Sequence, residues 1–511
     1  MQPPAAIRGV PDIFAAALGA GAQRDALVTR SGTWSYADLD HLCEKGATVL
    51  RDLGVRAGDR VAASLPNDVD IIIAFHATMR LGAMWVGINR PLAPPEKQFI
   101  LRDCGASVVI ADDDIAAQLG ERGDTEWRTV RCDEWRRSLE GAAPRPSRER
   151  VDPLAPAAIA YTSGTTGYPK GAVHSQHNLM LAARATVESR GYGPGLRKGD
   201  CLPLTILNMV VLTTLVVAEA QGCCVIMDRI DAEGVAGWIR DHRVTTWNGP
   251  PALLHSLVAD DAIGPDALRS LDEVWTGGAD CPEALRDSFE AKFGRAVLAT
   301  YGLTEAPTLV AIDPRSGDHR PGASGRAMPH VDVSVRSDDG TVLGPGETGE
   351  ICVGPQATGP WAGLYRTMLG YWQRRDASAD ALREGVLHTG DIGFVDEDGF
   401  LTIRDRKSLV IMRGGANVYP AEVERVIHQL QGVAGCAVVG VPDERLGERV
   451  VAVLERAPSA VLDAETVRDH CLESLARYKV PERVVFVAQL PRNAMGKISR
   501  RDLAALFDDP A

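Results

Sequence analysis

The stretch Tyr161-Thr-Ser-Gly-Thr-Thr-Gly-Tyr-Pro-Lys-Gly171 sets four small hydroxyl side chains and three glycines in one short run, with Lys170 directly behind a proline. Glycine has no Cβ, so backbone N–H groups can turn toward an anion and approach it closely, while Thr162, Ser163, Thr165 and Thr166 supply hydroxyl donors. The competing reading is a solvated Ser/Thr/Gly loop. Against it, the apolar run Ala157-Ala-Ile-Ala160 leads straight into the segment and gives it a rigid support. The segment therefore reads as a phosphate cradle running from Thr162 through Gly164 and Gly167 to Lys170. It is not a P-loop. Gly164 and Gly167 have two residues between them where that motif has four, and Pro169 stands in place of its last glycine.

Moving outward toward the N-terminus, strand-like and helix-like pieces alternate: Trp34 to Asp40, the apolar Arg60 to Leu65, the helical Ile71 to Leu81 and Ser107 to Ala111. Such alternation predicts α/β layering. The proline-rich, polar passage 141–150 reads as an exposed connector between two subdomains. On the C-terminal side the α/β pattern resumes at Val225 to Met227, Val244 to Trp247, Glu273 to Thr276 and Val297 to Tyr301. Glycine-rich β-patterned segments follow at Val331 to Arg336 and Gly349 to Gly354 and suit a small barrel or antiparallel subdomain. A last unit begins near Arg404. Pro420 at a first helical turn, apolar Val423, Val426, Ile427 and Leu430 at helical spacing, and Gly432 as a stop predict one helix. Strands at Ala437 to Val441, Val450 to Leu454 and Val484 to Val487, with a helix from Asp463 to Leu475, complete an α+β domain of about a hundred residues.

Four further islands place polar groups in glycine-rich turns. They are Tyr301-Gly-Leu-Thr-Glu305, His388-Thr-Gly-Asp391, the pair Arg404-Asp-Arg-Lys-Ser408 and Arg413-Gly-Gly-Ala-Asn-Val-Tyr-Pro420, and Pro491-Arg-Asn-Ala-Met-Gly-Lys497. A tyrosine face can stack on a purine, a carboxylate can hold Mg²⁺ through water, and an acceptor-only carboxylate suits paired ribose hydroxyls. Taken together, in this order, these islands and the less specific Gly277-Gly-Ala-Asp280 resemble the adenylate-forming superfamily of acyl-CoA synthetases, luciferases and peptide-synthetase adenylation domains. The resemblance runs from Trp34 to Lys497.

That resemblance implies an α/β fold. A large N-terminal domain, 1–405, would hold two doubly wound α/β subdomains and a small β-barrel subdomain. A hinge at 406–409 would lead to a small mobile α+β domain, 410–511, carrying the catalytic lysine. It implies an acid–thiol ligase that uses ATP, Mg²⁺ and coenzyme A, making acyl-adenylate and then a thioester. In this reading Ser163, Gly164, Thr165, Thr166, Gly167 and Lys170 hold phosphates, while Thr162 and Glu305 lie near Mg²⁺. Gly278, Ala279, Tyr301, Gly302 and Thr304 surround the nucleotide, and Asp391 and Arg406 take the ribose. Lys497 reaches the acyl carboxylate and the bridging oxygen, where a compact ammonium suits growing negative charge better than a planar guanidinium. The acyl pocket falls on Ile206, Met209, Trp247, Asn248, Gly249, Gly277, Gly302 and Pro307, whose character favours a hydrophobic acid over an amino acid. Ring system and alkyl chain stay undecided. Two positions depart from the family's pattern. Ser408 stands at the hinge, usually aspartate or lysine, with Leu409 after it, and apolar Ile206 stands where relatives have an aromatic or histidine gate. The hinge departure keeps a second reading open, in which the adenylate passes to a carrier-protein thiol on a separate chain.

Composition sets the outer limits. With 511 residues, 45% of them hydrophobic, the chain can bury more than one core, and a formal charge of −13 argues against nucleic acid as an obligatory partner. Ten scattered cysteines without a C-x-x-C or a zinc-ligand cluster fit a reducing cytoplasm. The uncharged stretch 201–218 has the length of a membrane span, but Pro203, Thr205, Asn208, Thr213 and Thr214 interrupt it, and it is expected as a buried helix walling a pocket. Eight lysines stand against forty-seven arginines, so Lys170, Lys407, Lys479 and Lys497 are candidates for roles that arginine cannot fill. Oligomer formation is compatible with the sequence but not specified by it.

Overall fold

A computed structural model describes residues 7–119, 126–145, 151–162, 169–277, 281–315, 319–413, 416–443, 446–458, 460–492, 498–504 and 507. The chain forms two compact units. One comprises residues 1–334 with 352–389, the other 335–351 with 390–511.

The larger unit is built on two sheets. In the first, the strands Val297–Leu303, Glu273–Gly277, Thr246–Asn248, Arg197–Asp200, Cys223–Ile226 and Asp25–Thr29 lie parallel in that order. Antiparallel Ala306–Ile312 and Arg326–Ala327 close one edge and Gly32–Ser35 the other. In the second, Pro156–Thr162, Met84–Gly87, Arg60–Ser64, Val108–Ala111 and Arg128–Arg131 run parallel, with antiparallel Lys170–Ser175 and Gly370–Tyr371 at one edge. The central strands are buried on both faces, as Val108–Ala111 is at every residue. That is the pattern of a parallel sheet covered by helices on both sides, and it bears out the expected doubly wound layering.

The covering helices follow from local signals. Ser35 caps the helix Tyr36–Asp52 by accepting from Asp38 N, while Asp38 reaches back to Ser35, a reciprocal capping box. Asp68 caps Val69–Arg80. Gly46 lets these two helices lie against each other. A Cβ there would stand 2.8 Å from Ile73 and 3.0 Å from Ala77. The uncharged stretch 201–218 becomes the buried helix Leu207–Glu219, interrupted by a π-helical turn at Val211–Leu215. Among the described residues no helix is long and apolar enough to cross a membrane. All ten cysteines are free thiols.

The smaller unit contains the antiparallel pair formed by Gly390–Val395 of one strand and Leu401–Arg406. Its C-terminal sheet has Gly447–Arg456 at the centre, antiparallel to Val433–Asp443 and parallel to Arg483–Val487. The helix Pro420–Ile427 begins at the expected proline, and Asp405 Oδ2 accepts from Ala421 N at 2.8 Å in its first turn. Asp463 caps Ala464–Ser474 through Thr466 N. Val423, Val426 and Ile427 pack with Val438, Val450 and Leu454 in one apolar core, as the helical spacing predicts.

Candidate active site

The strand Pro156–Thr162 and its antiparallel neighbour Lys170–Ser175 bracket the cradle. Thr162 faces Lys170 across the ladder, and the Thr162 hydroxyl donates to the Lys170 carbonyl at 3.4 Å. Ser163, Gly164, Thr165, Thr166 and Gly167 lie outside the described residues, so of the expected cradle the structure places only the flanking Thr162 and Lys170. These flanks are braced from behind. The Tyr161 hydroxyl donates to Asp103 Oδ2 at 2.7 Å, Arg374 pairs with Asp103, and the Trp372 indole N–H donates to the Asp103 carbonyl at 3.0 Å. Burial, with the bond to Asp103 second, pushes the Tyr161 phenol up, so it remains a neutral donor.

Tyr301 to Glu305 form the end of Val297–Leu303 and the turn into Ala306–Ile312. Tyr301 is buried, while Gly302, Thr304 and Glu305 are partly exposed. A Cβ on Gly302 would stand 1.7 Å from the Thr308 carbonyl oxygen, so only glycine fits. Thr308 has φ +77°, a left-handed conformation that costs a β-branched residue about 1–3 kcal/mol, and its N–H is held by Asn208 Oδ1 at 3.3 Å. The carbonyl of Thr304 accepts from His174 Nε2 at 2.8 Å. Burial holds the His174 ring down to about 4, which leaves it neutral near pH 7.

Two elements distant in sequence meet at Tyr371. Its hydroxyl donates to Glu305 Oε1 at 2.8 Å, and the ammonium of Lys170 lies 5.3 Å from its ring centroid. Sequence reasoning missed this residue. The only local signal is Gly370-Tyr-Trp372, and what gives it meaning is the pairing of Gly370–Tyr371 with Ala172 and Val173 beside the cradle. Among the described residues no three His, Cys, Asp or Glu side chains gather into a metal cage. The donor set of Glu305 and Thr162 fits Mg²⁺ taken up with a nucleotide, which needs one carboxylate because phosphates and water supply the other ligands.

Within the smaller unit Asp391 and Arg406 face each other across their ladder, with Arg406 Nε 2.6 Å from Asp391 Oδ1. Asp391 is buried and the guanidinium half-exposed. The 3-10 turn Lys407–Leu409 contains Ser408, and Lys407 bonds Asp338 at 2.7 Å. Lys479 bonds both oxygens of Glu422, so these two lysines sit in ion pairs. Gly278, Ala279 and Lys497 lie outside the described residues.

On the acyl side, Ile206 precedes the helix that starts at Leu207, and Asn208, one position before Met209, ties that helix to the strand bearing Pro307. Gly277 is exposed at the end of its strand. Trp247, by contrast, is 0% exposed and belongs to the core with Val225, Leu254 and Val274, and Gly249 packs against it. Asn248 turns its amide inward to Asp200 Oδ2 at 2.8 Å. Asp200 is fully buried, also accepts from Leu202 N and Thr213 Oγ1, and stands 3.6 Å from the equally buried Lys198. The buried pair Lys198–Asp200 was not foreseen from sequence.

Residues 14–372 match the family described as AMP-binding enzyme, and 422–497 match the AMP-binding enzyme C-terminal domain. The chain belongs to the AMP-binding enzyme family. A long-chain-fatty-acid–CoA ligase of Mycobacterium tuberculosis (strain ATCC 25618 / H37Rv) is 36% identical over 479 residues, 91% of each chain. An indoleacetate–CoA ligase of Aromatoleum aromaticum is 34% identical over 92% of this chain and 93% of its own. Among solved structures, the o-succinylbenzoate CoA synthetase of Bacillus subtilis with its acyl-adenylate intermediate superposes with a TM-score of 0.86 at 29% identity, covering 98% of both chains. ATP-bound MatB from Rhodopseudomonas palustris gives 0.88 at 29%, covering 98% of this chain and 99% of its own. Like its family, this AMP-binding enzyme is an AMP-forming acid–thiol ligase that makes acyl-adenylate and then the coenzyme A thioester. It works with ATP, Mg²⁺ and coenzyme A.

Proposed function

We propose that the acid activated here is hydrophobic and carries no amino group beside its carboxylate. The observation behind this reading is Asp200, a buried carboxylate just ahead of Ile206 in the chain. Its oxygens are committed to Lys198, Asn248, Thr213 and the backbone of Leu202, and Glu273, buried on the strand that ends at Gly277, is paired with Arg190 and Arg315, so neither of these two carboxylates is left for a substrate ammonium. Ile206, Met209 and Pro307, with the backbone of Gly277 and Gly302, line the acyl site in this reading, and Trp247, Asn248 and Gly249 support it from behind. The named substrates of the two curated relatives, a long-chain fatty acid and indoleacetate, are both hydrophobic acids.

The residue roles follow the same logic. Thr162 to Lys170, including Ser163, Gly164, Thr165, Thr166 and Gly167, cradle the β- and γ-phosphates with backbone N–H groups and the lysine charge. Thr162 and Glu305 hold Mg²⁺, which when bound neutralises phosphate charge during displacement at the α-phosphorus. Tyr301, Gly302 and Thr304, with Gly278 and Ala279, form the adenine site, and Asp391 and Arg406 take the ribose hydroxyls. Lys497 donates to the carboxylate and to the bridging oxygen as charge grows there. The small domain, 410–511, pivots about 406–409, with Ser408 as the turning residue. Coenzyme A rather than a carrier protein accepts the acyl group, in the cytoplasm, where the free thiols are stable.

ATP–pyrophosphate exchange across aryl, long-chain and amino acids, paired with thioester formation on coenzyme A, tests the reading. Exchange with apolar acids and not with amino acids is expected, and preference for an amino acid refutes it. Lys497→Ala is expected to lower exchange at least roughly a hundredfold with the unfolding midpoint unchanged, and near-normal exchange removes the role of Lys497.

A further inference from the structure

We infer that Tyr371 is a positioning residue for adenylation, holding the ammonium of Lys170 against the face of its ring and the carboxylate of Glu305 by its hydroxyl. The inference rests on the reading of Lys170 and Glu305 as the phosphate-facing and metal-facing charges.

Three observations carry it. Tyr371 stands at a fixed place in the sheet, paired with Ala172 two residues beyond Lys170, so strand register sets the height of its ring beside the lysine. The ammonium lies 5.3 Å from the ring centroid, within the range of a cation–π contact. The phenol donates to Glu305 Oε1 at 2.8 Å across a separation of 66 residues, a charge-assisted bond that fixes one carboxylate oxygen and leaves the other to a ligand.

The arrangement also solves an electrostatic problem. A lysine and a glutamate brought to one site tend to neutralise each other, and a phosphate or a cation then has to break that pair before it can bind. Among the described residues no ion pair joins Lys170 to Glu305. The tyrosine satisfies each of them with a neutral group, a π-face for the cation and a hydroxyl for the anion. Both charges stay oriented and remain available. His174, donating to the Thr304 carbonyl from the same strand as Lys170, holds the backbone next to Glu305 in the same frame.

Tyr371→Phe keeps the ring and removes the hydroxyl, and Tyr371→Leu removes both. The first readout needs no turnover. After reductive ¹³C-methylation, with Lys170→Arg identifying the signal, the Lys170 methyl resonance is expected to be ring-shifted in the unaltered protein and in Tyr371→Phe, and to move to the unshifted position in Tyr371→Leu. The second is the Mg²⁺ dependence of pyrophosphate exchange. In Tyr371→Phe the half-saturating Mg²⁺ concentration is expected to rise on the order of tenfold, as for loss of a group that orients a metal ligand, while the ATP KM at saturating Mg²⁺ holds within about twofold. An unshifted Lys170 signal in the unaltered protein, or an unchanged Mg²⁺ requirement in Tyr371→Phe, overturns the inference. Glu305→Gln separates the two levels of the argument. If it abolishes exchange while Tyr371→Phe is silent, only the role of Tyr371 falls; if it leaves exchange intact, the metal-facing reading of Glu305 falls with it.

Discussion

Two clusters in the larger unit use the same components to opposite ends. Each joins a lysine, a carboxylate and an aromatic ring: Lys170, Glu305 and Tyr371 in one, Lys198, Asp200 and Trp275 in the other, with ammonium-to-ring distances of 5.3 Å and 5.2 Å. In the second, lysine and aspartate are 0% exposed and 3.6 Å apart, and Asn248 and Thr213 fill the remaining acceptor capacity. In the first, the charges are partly exposed and the tyrosine mediates between them. Burial pushes the Lys198 ammonium down and the Asp200 carboxyl up, each opposed by its partner. In the sealed pair the carboxylate takes all its bonds from protein groups, and the ammonium, which makes no hydrogen bond, is held by Asp200 at 3.6 Å and by the Trp275 ring; an open pair leaves acceptor and donor capacity for a ligand. The residue types are alike, and solvent access separates the roles.

The sharpest way to break this contrast is to remove one partner from the sealed cluster. Asp200→Ala strands a buried ammonium and is expected to cost about 3–5 kcal/mol of unfolding free energy, read by chemical denaturation. The molecules that remain folded should keep their affinity for ATP. A change in nucleotide affinity with little change in stability would mean the cluster is not sealed.

The backing of the open cluster responds to pH. His174 is held at about 4 by burial, and an unfolded histidine titrates near 6.5. Above pH 6.5 both states are neutral. As pH falls, the unfolded chain takes up the proton first, so stability is lost between about 6.5 and about 4, amounting to roughly 3 kcal/mol for this group. His76 and His330, held by burial down to about 3, push in the same direction. Denaturation curves at pH 7 and pH 5 should show the fall, and His174→Gln should remove its share; a pH-independent midpoint contradicts a neutral buried ring.

The smallest effect sharpens the picture. Thr213→Val deletes one hydrogen bond to Asp200 from the π-helical turn and is expected to cost about 1.5 kcal/mol, with kcat for the best acid unchanged. A shift in acid preference instead would show that the turn at Val211–Leu215 transmits strain to the acyl side.

Much of this was legible in the chain itself. Hydrophobic periodicity located the strands Arg60–Ser64 and Glu273–Gly277, and Pro420 marked the helix start, because side-chain period and proline geometry act locally. The lysine count was a weaker guide. It singled out Lys407 and Lys479, which form ion pairs with Asp338 and Glu422, and it passed over Lys198, whose burial depends on strands brought together from residues 197 to 277. Trp247 and Asn248 sit in a stretch that resembles a pocket wall, yet one faces the core and the other faces Asp200, a choice made by sheet packing.

Local composition and spacing were enough to fix the order of elements and the family and to single out Lys170 and Glu305 as candidate charges. The tertiary structure decided which of those charges stay open to a ligand. Glu305, Lys170 and Tyr371 become neighbours only through the antiparallel edge of one sheet and a turn of the other, and Lys198 meets Asp200 out of reach of water only where helix and sheet close over both. Electrostatic consequence depends on burial and on partners distant in the chain, and neither is a property of a segment taken alone.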